Sequence, residues 1–294
     1  MSPLDWFKKE SPLFGLTGLW GGVGSNLVGG IDPPIDAHIT WNPNPSGSYS
    51  NIGGNTRYIK WVANSTVTIP GTVTVDIMMV AKGGNSGPYN YGGGGGGGGM
   101  VYAQSVELKG GDYPLSYGDN MSFAGFTALN GGDTGATGGW DPTGNIARGK
   151  PGGCGGGSGR TGAYINPPND GGVATQPDKA HPGFTPGNPG FTNYGFPGFG
   201  PSFPKSAPWG QRCNAGGGCG SGGSNTAGAP GTIQSASGGN GQANAITGAN
   251  VIYGAGGGTP GRHPGATNAD PNANERGGGG ARPGSIYLRY TFPA

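Results

Sequence analysis

The sequence predicts an all-β protein: an antiparallel sheet or sandwich formed by residues 36–118 and the C-terminal strand, carrying a glycine-rich insertion packed as polyglycine II helices and loops. Three observations point there. Of 294 residues, 72 are Gly and 27 are Pro, whereas AVILMFWYC together make 32%, too little to fill a conventional core in a chain this long. Patterns of strand period stand on both sides of the insertion, in TVTIPGTVTVDIMMVA and SIYLRYTF. Between two such strands runs an octaglycine, Gly92–Gly99.

Disorder is the usual meaning of so much Gly and Pro. Here charged residues are only 10% and the net charge is +2, while aromatics match the charges at 10%, the reverse of a disordered balance. Collagen needs Gly at every third place. In HPGFTPGNPGFTNYGFPGFG the glycines fall at 183, 187, 190, 195, 198 and 200, which excludes it. Ordering each Gly costs about 0.5–1 kcal/mol more than ordering Ala, so something other than side-chain burial has to compensate. A residue without Cβ adopts the three-fold extended helix and lets neighbouring backbones approach on all sides. Parallel-lying runs then satisfy each other's N–H and C=O groups, which buried peptides require. At about 3.1 Å per residue the octaglycine spans roughly 25 Å, and it is expected to be the central rod of such a bundle. GGCGGGSG, NAGGGCGSGG, YGAGGG and ERGGGG supply further helices.

Taken in order, residues 1–35 read as a separate N-terminal docking arm. Its apolar residues Leu13, Phe14, Leu16, Leu19 and Trp20 are broken up by glycines and form no stable amphipathic helix, and Trp6 and Phe7 add anchors. The alternative is a first element of the core. IDPPID at 31–36 is a stiff break that favours the arm. Residues 36–118 form the β-domain, with strands in ITW, RYIKWVA and TVTIPGTVTVDIMMVA; Val73, Val75, Ile77 and Met79 share one face of the last, and Asp76 spoils the other. VYAQSVELKGGDYPLSYG reads as a hairpin turning at Lys109–Asp112, with Tyr102, Val106 and Leu108 opposite Tyr113, Leu115 and Tyr117. At the end, Ile286, Leu288, Tyr290 and Phe292 alternate with polar neighbours, so residues 284–294 complete the β-domain by pairing within the 57–117 block. Residues 119–283, with almost no strand signal, form the insertion.

Sixteen Lys and Arg against fourteen Asp and Glu leave no basic field for nucleic acid. No apolar run approaches the roughly 18–20 residues of a membrane span, and Glu10, Pro12 and repeated Gly spoil the N-terminus as a signal peptide. Cys154, Cys213 and Cys219 lack CxxC or zinc-finger spacing. They read as small buried or idle thiols, with a structural metal site using His181 or His263 as the alternative, and no cofactor or metal is expected. Catalysis finds no support: RGKPGG lacks the Ser or Thr of a phosphate loop, no GxSxG elbow is present, and Asp133, Asp141 and Asp170 are ordinary turn residues. The aromatic stretch 181–209 holds Phe184, Phe191, Tyr194, Phe196, Phe199, Phe203 and Trp209 among prolines. Rings on preordered backbone suit recognition of sugars or protein surfaces. They equally suit sealing the bundle or packing between subunits.

The succession NSTVTIPGTVTVDIMMVAKGG, glycine run, MVYAQSVELKGGDYPLSYGDN, short Gly runs, GGGGARPGSIYLRYTF resembles, over residues 57–294, the glycine-rich domain of bacteriophage tail fibres and related virion proteins. The 181–209 segment is richer in Phe and Pro than that pattern. The resemblance implies packed polyglycine II helices whose connecting loops contact the host surface, and a homotrimer. The expectation is therefore a virion structural protein of the tail-fibre or attachment class, not an enzyme. Trp6, Phe7, Leu13, Phe14, Leu16, Leu19 and Trp20 would dock it to another virion protein, and the seven rings of 181–209 would meet a host cell-surface glycan or outer-membrane protein. The alternatives are an architectural head, collar or decoration protein and a secreted glycine-rich matrix protein.

Overall fold

Alternation of side chains builds a two-sheet core. In β4 (Ser65–Ile69), Ser65, Val67 and Ile69 are buried and Thr66 and Thr68 exposed, the signature of a strand with one face on a core. It sits between β1 (Thr40–Asn42) and β7 (Gly111–Leu115) in a three-stranded antiparallel sheet. The computed structural model describes residues 39–42, 47–87, 93–135, 148–158, 171–176, 190–198, 215–222, 237–258 and 281–291. Within 39–294 they belong to one compact unit, and the proposed arm 1–35 lies outside the described residues.

The larger sheet has six strands. In sequence order these are β2 (Gly47–Gly53), β3 (Thr56–Trp61), β5 (Val73–Val80), β6 (Met100–Leu108), β10 (Phe191–Tyr194) and β13 (Ser285–Thr291), and in space they run β10-β6-β5-β13-β3-β2. The C-terminal strand is central. Ile286 lies opposite Trp61 and Met79, and Leu288 opposite Ile59 and Ile77, so the ends of the domain meet in one antiparallel sheet as the alternation in SIYLRYTF predicts. The face bearing Ile59, Trp61, Ile77, Met79, Ile286 and Leu288 is buried. Trp61 joins the layers: its ring lies 5.8 Å from Trp41 of β1 and 6.2 Å from Phe123. Phe123 ends β8 (Met121–Phe123), which turns through Ala124 (φ 50°) and Gly125 (φ 84°) into β9 (Phe126–Ala128). Positive φ at both turn positions is what a tight two-residue hairpin needs.

The expected 102–117 hairpin does not form. β6 pairs with β5 along its length and with β10 over Met100–Ala103, whereas all five residues of β7 pair with β4 in the other sheet. Lys109–Asp112 is instead a corner between sheets, and Gly111, at φ 146°, supplies a conformation that side-chain-bearing residues rarely adopt. The insertion 119–283 also contributes strands: β8, β9, β10 and the hairpin of β11 (Gln242–Asn244) with β12 (Val251–Tyr253). Of these, β10 extends the main sheet.

Asp76 explains its own interruption of the second face. The ladder shifts register between Val75 and Ile77, where Ser105 takes φ 54°, and the Asp76 carboxylate accepts the Ser105 N–H at 2.9 Å. Its other oxygen accepts both Nε (3.1 Å) and Nη2 (2.6 Å) of Arg289, a fork-like pair that fixes the bulge. Beyond this pair the second face is apolar: Met78, Val80, Met100 and Tyr287 pack with Cys154, Cys219, Ile246 and Tyr253. Both faces of the large sheet are thus covered, one by strands and the other by the glycine-rich region.

Tyr290 provides a pH probe of this core. Burial pushes its phenol from 10.0 up to about 12, against the opposing pull of the Arg57 guanidinium. The folded protein favours the neutral phenol, so its contribution is intact below about pH 10 and declines as pH rises towards 12. We expect Tyr290→Phe to remove about 2–3 kcal/mol from the alkaline stability loss of the parent, read as urea midpoints on either side of that window. Superimposable alkaline profiles would contradict this account.

Candidate functional site

The site is built on peptide groups. Ala81, Gly84 and Gly87 donate their N–H groups to the carbonyls of Gly99, Gly96 and Gly93, at 3.0, 2.8 and 3.0 Å. On the other flank, Gly99 and Gly96 donate to Leu129 and Gly132, both at 2.8 Å. Each step is three residues up one run and three down the next, the repeat of a three-fold extended helix laid antiparallel to its neighbours. Cys154 and Gly157 donate to Gly97 and Gly94, Gly97 donates to Gly217, and Gly257 donates to Gly95. Run 93–99 is therefore surrounded by runs 81–87, 129–135, 153–158, 215–218 and 254–257. A further layer continues outward through Gly172 to Gly156, Gly198 to Gly172 and Gly239 to Gly216, at 2.7, 2.9 and 2.9 Å.

Absence of Cβ is a condition of this packing. A Cβ on Gly95 or Gly98 would strike the carbonyl of Gly84 or Ala81, one on Gly94 or Gly97 that of Gly257 or Gly254, and one on Gly93 or Gly96 that of Ser158 or Cys154. All fall inside the 3.0 Å that real Cβ contacts keep. The described octaglycine residues, Gly93–Gly99, are all buried. At the sheet end the rod stops against Gln176, itself fully buried. Its amide accepts the Leu129 N–H at 2.7 Å and donates to Thr127 O and Asn193 Oδ1, so a polar side chain substitutes there for one more run of backbone.

Seven of the runs are anchored at one end, on strands. Run 81–87 continues from β5, 93–99 leads into β6, 129–135 follows β9, 195–198 follows β10, 237–241 leads into β11, 254–258 follows β12 and 281–284 leads into β13. Four of these strands belong to the six-stranded sheet, and β9, β11 and β12 to the two small hairpins. The other ends of the runs lie together at the level where Gly87 meets Gly93, Gly135 meets Gly157 and Gly257 meets Gly95. At Gly87, Gly135, Ser158, Gly198 and Gly258 the chain passes at this far end into segments 88–92, 136–147, 159–170, 199–214 and 259–280, outside the described residues. Asp133 braces the same region: its carboxylate accepts the Asn85 N–H and Nδ2 at 2.9 and 3.0 Å and lies 3.5 Å from Lys150 Nζ.

The seven candidate rings separate. Phe191 is buried in β10 with its ring 5.8 Å from Phe126, and Tyr194 packs half-buried against the Met78–Tyr287 cluster. These two serve packing, the second role the sequence allowed, and Phe191 presents no surface to a receptor. Phe196 is 41% exposed, on the run that leads to the far end. Phe184, Phe199, Phe203 and Trp209 lie outside the described residues, as do Trp6, Phe7, Leu13, Phe14, Leu16, Leu19 and Trp20 of the arm. Val173 is exposed on the neighbouring run, whose Gly172 accepts from Gly198. Sequence reasoning passed over Ile246 and Tyr253, whose signal was apolar residues isolated in QANAITGANVIYG. Among the described residues no group of three or more His, Cys, Asp or Glu side chains is placed to hold a metal, and no helix is long and apolar enough to cross a membrane. Comparison with protein-family models and with curated proteins finds no match.

Proposed function

We propose that the protein is a phage virion component of the tail-fibre or attachment class, whose glycine lattice holds a set of connecting segments at one end for contact with the host surface. The observation that carries this reading is the anchoring of seven runs on strands at one end, while at Gly87, Gly135, Ser158, Gly198 and Gly258, at the opposite end, the chain passes into 88–92, 136–147, 159–170, 199–214 and 259–280. Binding residues are commonly carried on connections held by a rigid scaffold, and the described runs hydrogen-bond to one another through their own peptide groups. The chain-order resemblance to phage glycine-rich domains supports the same assignment. In this reading Phe196, Phe199, Phe203 and Trp209 contribute contact area to a glycan or an outer-membrane protein, the N-terminal arm joins the particle, and the assembly is a homotrimer.

The test is binding of the labelled full chain to cells of the bacterium on which the particle grows. It is compared with a variant whose residues 199–209 are replaced by a Gly/Ser linker of equal length. Because β10 and run 195–198 are retained, the sheet and lattice stay intact. At least a tenfold loss of cell binding with unchanged melting is expected. No binding by the parent chain would instead point to the architectural role.

A further inference from the structure

Cys154 and Cys219 are the only fully buried thiols among the described residues, and they face each other. Their sulfurs are 3.5 Å apart, and both lie beside the carbonyl oxygen of Gly98, at 3.7 and 3.0 Å. We propose that this pair is a latent disulfide site, a dithiol in reducing surroundings that closes to a cystine when the protein meets a disulfide oxidant.

Geometry favours closure without rearrangement of the lattice. The two cysteines sit on adjacent runs already tied by the Gly217 N–H to Gly155 carbonyl bond at 2.9 Å. Hydrogen-bonded extended backbones lie about 5 Å apart, inside the roughly 4.4–6.8 Å between Cα atoms that a disulfide spans. Side-chain rotation has to bring the sulfurs to about 2.05 Å. Each backbone is fixed independently, Cys154 N–H on Gly97 at 3.1 Å and Cys219 N–H on Gly254 at 2.8 Å, so neither run needs to be recruited. A bond there would span 65 positions of sequence and staple two runs flanking the central rod beneath the sheet.

The reaction is thiol–disulfide exchange. With a low-molecular-weight disulfide RSSR, one cysteine sulfur attacks RSSR and displaces RSH; the second then attacks the mixed disulfide and displaces another RSH. One S–S bond breaks and one forms, two electrons pass to the R-thiols, and the two cysteine protons leave with them. Burial, with the neighbouring Cys154 thiol, pushes the Cys219 thiol well above its ordinary range and withholds the thiolate that attacks. Exchange in the native protein is accordingly slow and proceeds through local opening, whereas a chain that folds in the presence of oxidant closes the bond as the lattice assembles.

The test uses the full chain and oxidised glutathione. Protein is incubated with the oxidant in increasing sub-denaturing urea, and separately refolded with it; free thiols are then alkylated and the cross-linked peptides mapped by mass spectrometry. We expect one peptide pair joining Cys154 to Cys219, forming at least tenfold faster as urea approaches the unfolding midpoint. Cys213 should remain alkylatable. The oxidised form should melt on the order of 10 °C above the reduced form, and Cys154→Ser and Cys219→Ala should each abolish that difference while Cys213→Ser keeps it. The proposal is overturned if the two thiols survive refolding with oxidant, if Cys213 takes either partner, or if the bridged protein melts below the reduced one. Peptide mapping of the parent chain decides between these results even if a variant does not fold. None of these outcomes bears on host binding.

Discussion

Gly96→Val is expected to abolish cooperative unfolding. The position is buried in the middle of the rod, and the first added carbon already falls on the carbonyl oxygen of Cys154, with the oxygen of Gly155 at 2.7 Å. Those atoms are backbone, held by the bonds from Gly132 N–H to Cys154 and from Gly217 N–H to Gly155, so they cannot rotate away as a side chain would. Relief requires parting at least two runs, which leaves several peptide groups buried and unpartnered at about 1–3 kcal/mol each. Valine adds two methyl groups to that first carbon. The sum is comparable with the whole stability of a typical domain, about 5–15 kcal/mol. Gly71→Ala is the control: nothing lies within 4 Å of its Cβ, and a change inside about 0.5 kcal/mol is expected. Urea titration followed by circular dichroism checks both. A Gly96→Val protein that melts as sharply as the parent would sink the lattice as the source of order.

Trp61→Ala should be the most damaging change in the sandwich. The side chain is fully buried, meets Trp41 edge-on at 84° and lies against Phe123, so it is shared by β3, β1 and β8. Removing it leaves a cavity between layers joined by short strands, which cannot close onto it; a loss of about 3–5 kcal/mol follows. Trp61→Phe, which keeps a ring in the same site, should cost less than half as much. The measurement is the urea midpoint at constant slope. A loss below about 1 kcal/mol would show that the layers are not held together at this residue.

Strand period made the larger sheet readable in advance. SIYLRYTF alternates strongly enough to call for apolar partners within the 57–117 block, and there it pairs, Ile286 with Met79 and Trp61 and Leu288 with Ile77 and Ile59. What escaped was competition for edges. Nothing local in LKGGD distinguishes a hairpin turn from a corner, because the decision rests on β4, far earlier in the chain, pairing with all of β7, and the other edge of β6 at Met100–Ala103 goes to β10. That strand is four residues, FTNY, inside a proline-rich aromatic stretch whose composition speaks of recognition. Phe191 is accordingly a core residue that looked like a contact residue. The need for glycine over 93–99 was legible from steric argument. Which runs are neighbours was not, since runs of identical residues carry no pairing code. Their order is set by the strands they join and by the few side chains among them, such as Gln176 and the two buried cysteines.

The three-residue antiparallel repeat also limits how this molecule can vary in descent. Lengthening run 93–99 by one or two glycines would rotate every later peptide away from its donors on 81–87 and its acceptors on 129–135; only whole turns preserve phase. A whole turn added to one run alone would overhang its neighbours, so the height of the bundle changes by concerted insertion across many runs or not at all. The stretches that join them carry no such phase constraint and can gain or lose residues one at a time. A lineage of such proteins would keep a fixed stem height while its tips diverge freely.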